Sequence, residues 1–310
     1  MREWRRKERG MTEMVLYGMR IDADFVVPCR LPATGEFRGR LSLREGIPPD
    51  EEARLRLGMC IYTAYHGRRV FFYASRPLAE GIREGDLLGY EAEGVGRFLW
   101  RHGSETVRYR RLEEGSAERF AFWIIHPFVP FWMTLEGRSV LLHCGAVEIG
   151  GGAVLFVSDY NGGKSTLVEA LLRRGHALVA DDLLPIVEEG ESCGCLPSHP
   201  YRWSSRERES LGTYHPRLTR GWLPIRALYF LERGSPEEGV AIEPVRGIER
   251  FVGLKNHGIV YTFPGRLLEH NRRIEALANR LPLYRLRRPW GMEWMEETCG
   301  RLMRHMKEKG

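Results

Sequence analysis

Over the first third of the chain, β-branched and aromatic residues occur at the density of strands and are broken by turn residues. The clearest runs are "MVLYGMRIDADFVVP" (14–28) and "RRVFFYAS" (68–75), while "AEGVGRFLWRHGSETVRYRRLE" (92–113) predicts a hairpin turning at His102-Gly103. The apolar stretch "AFWIIHPFVPFWMTLEGRSV" (121–140) predicts a short buried helix, with Pro127 or Pro130 in its first turn and Gly137 at its end.

From Ser139 the rhythm changes. "SVLLHCGAVEI" predicts one strand and "AVLFVS" a second, with Gly150 to Gly152 as the tight turn between them. In "KSTLVEALLRRG" the residues Leu167, Ala170 and Leu171 recur at helical spacing, and Gly175 is a natural residue to end the helix. "HALVADD" returns as a strand, "PIRALYFLERG" is a buried strand, and "GIERFVGLK" and "NRRIEALANRL" are amphipathic helices, with "PLYRLRRP" a strand after the second. In the tail, Met295, Cys299, Leu302 and Met306 fall on one helical face, the pattern of core packing. The order predicts an α/β protein with two domains, a β-rich one over 1–135 and an α/β one over 136–310.

Composition changes this picture little. Apolar residues make up 43% of 310 residues, enough for a sizeable core. The net charge of +6, carried mostly by arginine, suits an anionic partner, whether nucleotide, acidic peptide or nucleic acid, without choosing one. No motif that reads RNA or DNA stands out. Six cysteines in a chain of this length are not a disulfide scaffold, and the basic N-terminus is not followed by an apolar signal core. The longest apolar run, Phe120 to Leu135, is interrupted by His126, Pro127 and Pro130. The expectation is a reduced, soluble, cytoplasmic protein with no membrane or nucleic-acid partner.

The chemistry lies between the second and third elements of the α/β half. "SDYNGGKST", Ser158 to Thr166, approximates the phosphate-binding loop G-x-x-x-x-G-K-[ST]. Such a loop wraps phosphates with backbone N–H groups, reaches the outer ones with lysine, and places a Ser/Thr hydroxyl on magnesium at a helix N-terminus. Gly163, Lys164 and Ser165 fall in register, and Gly162 keeps the backbone bare beside them. Ser158 replaces the first glycine but is small and keeps its N–H. Asn161 takes a position that is often glycine, and asparagine tolerates the left-handed conformation. Asp159, Tyr160 and Thr166 complete the loop. Downstream, Asp181-Asp182 ends a strand, where carboxylates serve magnesium or accept the proton of an incoming hydroxyl. His143 would approach the phosphates if its strand pairs beside the strand that enters the loop.

The span "LLHCGAVEI…LFVSDYNGGKSTLVEALLRRGHALVADDLLPI" resembles the HPr kinase/phosphorylase-like kinases. A strand with His143, a phosphate loop over Ser158–Ser165 and "RRGH-LVADD" over Arg173–Asp182 carry the likeness. The overall pattern looks most like the members that phosphorylate lasso-peptide precursors on a serine at or near the C-terminus. The resemblance implies a phosphate-loop kinase domain with a PEP carboxykinase-like core, using ATP and Mg²⁺. Lys164 would hold the β- and γ-phosphates and Ser165 the metal. One of Asp181 and Asp182 would be the base while the other places the metal, and His143 would sit by the transferred group. The precursor peptide would be the partner, and a homo-oligomer is left open.

The chain departs from that family in one respect. The signature E-[IV]-R-G-x-G is absent, and "PYRWSSRERESLG" stands in its region, with Glu207 or Glu209 as stand-ins for its glutamate. Arg202, Arg206 and Arg208 in this segment are candidates for gripping a phosphate or a terminal carboxylate. The alternatives are a true HPr kinase/phosphorylase, a small-metabolite kinase, and a nucleotide-dependent binding protein without catalysis.

Overall fold

The computed structural model describes residues 11–159, 162–202, 208–259 and 266–309. It is a mixed α/β structure in two compact units. The first comprises 1–138 together with 203–214 and 260–268, and the second 139–202, 215–259 and 269–310.

The first unit is built on an eight-stranded sheet: β1 (Thr12–Leu16), β2 (Met19–Ala23), β3 (Gly39–Glu45), β4 (Arg56–Tyr65), β5 (Arg68–Ala74), β6 (Leu87–Ala92), β7 (Gly96–Arg101) and β8 (Thr106–Arg111), in the order β1-β2-β3-β8-β7-β6-β5-β4. A short helix α1 (Pro49–Glu52) follows β3. The hairpin β7–β8 turns at His102-Gly103, where the sequence predicts it. The apolar run is helical as predicted, with Pro130 in the first turn of Val129–Leu135 and Gly137 just past its end, but the helix begins earlier. The helix starts ten residues before Pro127, as α2 (Ala117–Trp123), capped by the Ser116 hydroxyl accepting from the Arg119 N–H at 3.3 Å. It passes Pro127 through one π turn (Ile124–Phe128) and continues as α3 (Val129–Leu135). The wider turn shifts the hydrogen-bond ladder, so a residue with no N–H is carried without ending the helix. What holds the run in place is packing: Phe128 stacks on Phe98 at 4.0 Å between ring centres, and Phe98 stacks on Phe120 at 5.6 Å.

The second unit has a nine-stranded sheet flanked by helices. Its strands include β9 (Val140–His143), β10 (Gly145–Ile149), β11 (Gly152–Val157), β12 (Ala177–Ala180), β13 (Leu183–Glu189) and β14 (Ser192–Cys195). Two-residue strands follow, β15 (Tyr201–Arg202) in the second unit and β16 (Thr213–Tyr214) in the first. Then come β17 (Leu223–Arg233), β18 (Ala241–Pro244) and β19 (Leu283–Arg288). The helices are α4 (Lys164–Arg173), α5 (Ile248–His257), α6 (Arg266–Arg280) and α7 (Met295–Glu308). Side chains alternate along β11: Ala153, Leu155 and Val157 enter a core with Leu254 of α5 and Ile274 of α6, whereas Val154 and Phe156 enter one with Leu167 of α4 and Leu302 of α7. The tail stripe Met295, Cys299, Leu302 and Met306 is buried in that second core. Strands β11, β17 and β19 are mutually parallel, so their C-terminal ends meet at one edge, the edge at which α/β sheets present their loops.

Among the described residues no helix is long and apolar enough to cross a membrane.

Candidate active site

The predicted single strand "SVLLHCGAVEI" is two strands broken at Cys144, and this break positions the site. β10 forms a hairpin with β11, while β9 leaves to pair with β13. The condition set for His143, that its strand pair beside the strand entering the loop, is therefore not met. His143 instead lies opposite Leu183, the residue after the aspartate pair, and its Nε2 is 3.0 Å from Asp182 Oδ1. The Cys144 N–H donates to the Asp182 carbonyl at 2.9 Å, which fixes the backbone of the acidic pair to the break.

At the end of β11 the chain reaches Ser158, which is buried, and then exposed Asp159. The Gly162 N–H donates to the Asp159 carbonyl at 3.0 Å, and a Cβ on Gly162 would lie 2.5 Å from that of Ser158. The small Ser158 and the bare Gly162 thus require each other. Gly163 takes φ +77°, the left-handed conformation, and caps α4. Ser165 and Thr166 are exposed in the first turn of α4, where N–H groups and the helix dipole favour an anion. Tyr160, Asn161 and Arg206, like Glu207, lie outside the described residues.

Lys164 is only 9% exposed and makes no hydrogen bond or ion pair among the described residues. Burial pulls its pKa down, opposed by the charge of Asp182 and more weakly by Cys144 and Asp181. The ammonium is therefore held under a desolvation cost that a phosphate would relieve. Burial likewise pushes the neighbouring Cys144 thiol up to about 12, leaving it neutral and unreactive.

Asp181 is buried, with Arg202 Nε 3.8 Å from its Oδ1. The Arg202 guanidinium also pairs with Glu169 of α4 and donates to the Ser165 carbonyl at 3.3 Å. It ties the loop helix to Asp181, while its buried Nε has no hydrogen-bond partner among the described residues. Arg208 and Glu209 belong to the first unit. There the Glu209 carboxylate takes Arg68 at 2.5 Å, Arg119 at 2.8 Å and the Trp123 indole at 2.7 Å, so it is committed to that network and does not stand in for the missing signature glutamate.

Two residues escaped the sequence reading. Arg288, 5% exposed at the end of β19, donates to the Gly163 carbonyl at 3.5 Å. An arginine closing a strand that runs parallel to β11 was the available signal. His257 ends α5, whose following residues Gly258 and Ile259 are tied to Leu142 and Leu141 of β9. Burial and the nearby Lys164 charge keep its imidazole below the usual range, hence neutral at pH 7. His257 shares a cleft of about 330 Å³ with Ser158, Asp159 and Phe230.

For magnesium, the donors present are the Ser165 hydroxyl and the carboxylates of Asp181 and Asp182. Among the described residues no three His, Cys, Asp or Glu side chains cluster tightly enough to cage a metal. Magnesium bound to a nucleotide needs no such cage, because phosphate oxygens and water fill most of its octahedron, and a hydroxyl with one or two carboxylates suits it.

No family model matches the chain, and no curated protein matches it in sequence. Among solved structures, the HPr(Ser) kinase/phosphatase of Coxiella burnetii aligns at 15% identity with a TM-score of 0.35, over 55% of this chain and 99% of that one. A likeness so distant carries no argument about the activity of this chain.

Proposed function

We propose that the second unit is an ATP- and magnesium-dependent kinase that phosphorylates a serine hydroxyl, with the C-terminal serine of a lasso-type precursor peptide as acceptor. The observation that carries the reading is Lys164: a buried lysine with no partner among the described residues, at the N-terminus of a helix capped by a left-handed glycine, beside the His143–Asp182 pair. The acceptor class rests on the motif resemblance of Leu141 to Ile186.

Phosphoryl transfer asks for alignment and charge neutralisation more than for covalent chemistry. The loop N–H groups, Lys164 and Arg288 surround the donor phosphates. Ser165 with an aspartate would hold Mg²⁺, which neutralises the developing charge when bound. Asp182 is the better base of the pair, because it is partly exposed and oriented by His143, whereas Asp181 is buried against Arg202. The serine oxygen attacks the γ-phosphorus, the bond to the β,γ-bridging oxygen breaks, and the serine proton passes to the Asp182 carboxylate.

The test is mass spectrometry of a precursor peptide ending in serine after incubation with ATP, Mg²⁺ and the protein. A phosphate localised to the terminal serine is the expected product. An unmodified peptide, with phosphate appearing on HPr or on a free metabolite, would reject the peptide acceptor while leaving the kinase.

A further inference from the structure

The cleft of about 330 Å³ at Asp159 follows the ends of three strands. Val157 at the end of β11 is in register with Phe230 of β17, and Phe230 with Arg285 of β19, so the floor steps outward from the phosphate loop across the sheet. Helix α5 supplies the opposite wall. Its buried Leu254 anchors it, and a Cβ on Gly253 would lie 2.7 Å from the Phe230 ring, so wall and floor are in close contact. His257 and exposed Asp159 mark the inner end, where the charges of Lys164, Asp159 and His143 all reach the His257 imidazole. Ile248, Glu249 and Arg285 mark the outer end. From His257 to Ile248 the helix advances about 14 Å at about 1.5 Å per residue, the reach of about four extended residues.

Two properties define the occupant. The first is apolar exposure. Ile248 and Val252, one turn apart on α5 and both lining the cleft, are 73% and 45% exposed, and covering them with an apolar side chain is favourable. The second is charge. Arg285, the one permanent cation among the described lining residues, is taken by Glu232 at 2.6 Å and by Glu249 at 3.1 Å. The Asp159 carboxylate makes no hydrogen bond or ion pair among the described residues. A phosphate therefore finds no free cation along this wall, whereas an uncharged, apolar peptide segment meets no opposing charge. A serine at a C-terminus has neighbours on its N-terminal side alone, so one cleft leading away from His143 and Asp182 is enough to read them.

We propose that this cleft takes the residues preceding the acceptor serine and selects apolar side chains there, seated against Ile248 and Val252. The inference rests on the kinase reading, and the test separates the two. Two synthetic peptides ending in serine, identical but for leucine or asparagine at the two positions before it, would be phosphorylated by the full chain, by Val252→Asp and by Val252→Leu. Valine, aspartate and leucine differ little in helix propensity and the site is half-exposed, so α5 accepts both changes. The expected result is a preference of at least ~10-fold in kcat/KM for the leucine peptide, carried by KM, in the unaltered protein and in Val252→Leu. Val252→Asp should lose most of that preference, with Mg·ADP affinity equal in all three. If Val252→Asp keeps the preference, or if the unaltered protein has none, the segment before the serine is not read by this cleft and the kinase reading stands. Weaker Mg·ADP binding in Val252→Asp with the peptide preference intact would give the cleft to the nucleotide. If the unaltered protein binds Mg·ADP and labels neither peptide, the peptide acceptor and this cleft's role fall together.

Discussion

Lys164 holds its ammonium in a place that costs desolvation and gains no hydrogen bond among the described residues. Removing it should therefore leave the fold largely undisturbed while removing charge stabilisation from the transition state. Lys164→Ala is expected to lower turnover by at least ~100-fold with little change in melting temperature. The depressed pKa adds a pH signature. As pH rises through it, the folded protein loses this proton earlier than an exposed lysine would, and phosphate loses its counter-charge. ADP affinity should weaken on the alkaline side at a pH below the ordinary lysine range, and the weakening should vanish in Lys164→Ala; a flat profile in the unaltered protein would count against it. At the acidic pair, Asp182→Asn should cost ~100-fold or more as a lost base. His143→Gln should cost less and chiefly in turnover, since His143 positions the base and does not replace it. Equal activity in all three would reduce the pair to an acidic turn.

The elements of the site were legible where local rules govern them. Gly150 and Gly151 make the hairpin into β11, Lys164 opens the helix, and Gly175 follows its end, because turn and cap preferences act within a few residues. What sequence could not show was decided over distance. The break at Cys144 is invisible in a continuous apolar run, since both halves read as strand; only pairing with β13 separates them. Pro127 reads as a helix start, yet the stacked Phe98, Phe120 and Phe128 side chains hold the helix through it. Arg288 meets the loop only because β19 is parallel to β17, and β17 to β11. The β10–α4 contact is another such long-range fit. A Cβ on Gly145 would lie 2.6 Å from Val168 Cγ2 and 3.2 Å from Lys164 Cγ. Gly145→Val should destabilise the protein by about 1–3 kcal/mol in denaturant melts and lower nucleotide affinity as α4 is displaced. Unchanged affinity would show that the loop does not depend on this contact.

At the scale of the molecule, the first unit has its own polar anchor. Glu209 comes from a segment far along the chain and joins Arg68, Arg119 and Trp123. Burial would raise its pKa, but the hydrogen bonds from Arg68 and Trp123 bring it below the usual carboxylate value. A depressed carboxylate stabilises the fold above its unfolded pKa, and this contribution is lost as pH falls through the folded one. Glu209→Ala should therefore cost about 2 kcal/mol at neutral pH and flatten the acid side of the stability profile below about pH 4.5. Equal acid sensitivity in the variant would assign that loss to other groups.

The central claim is that the loop at Lys164 directs a phosphoryl group to a serine whose proton Asp182 accepts. The most direct measurement follows label from γ-labelled ATP into a serine-terminated precursor peptide, with the unaltered protein, Lys164→Ala and Asp182→Asn run in parallel. The account predicts label on the serine with the unaltered protein and almost none with either variant. Undiminished label with Lys164→Ala would contradict it.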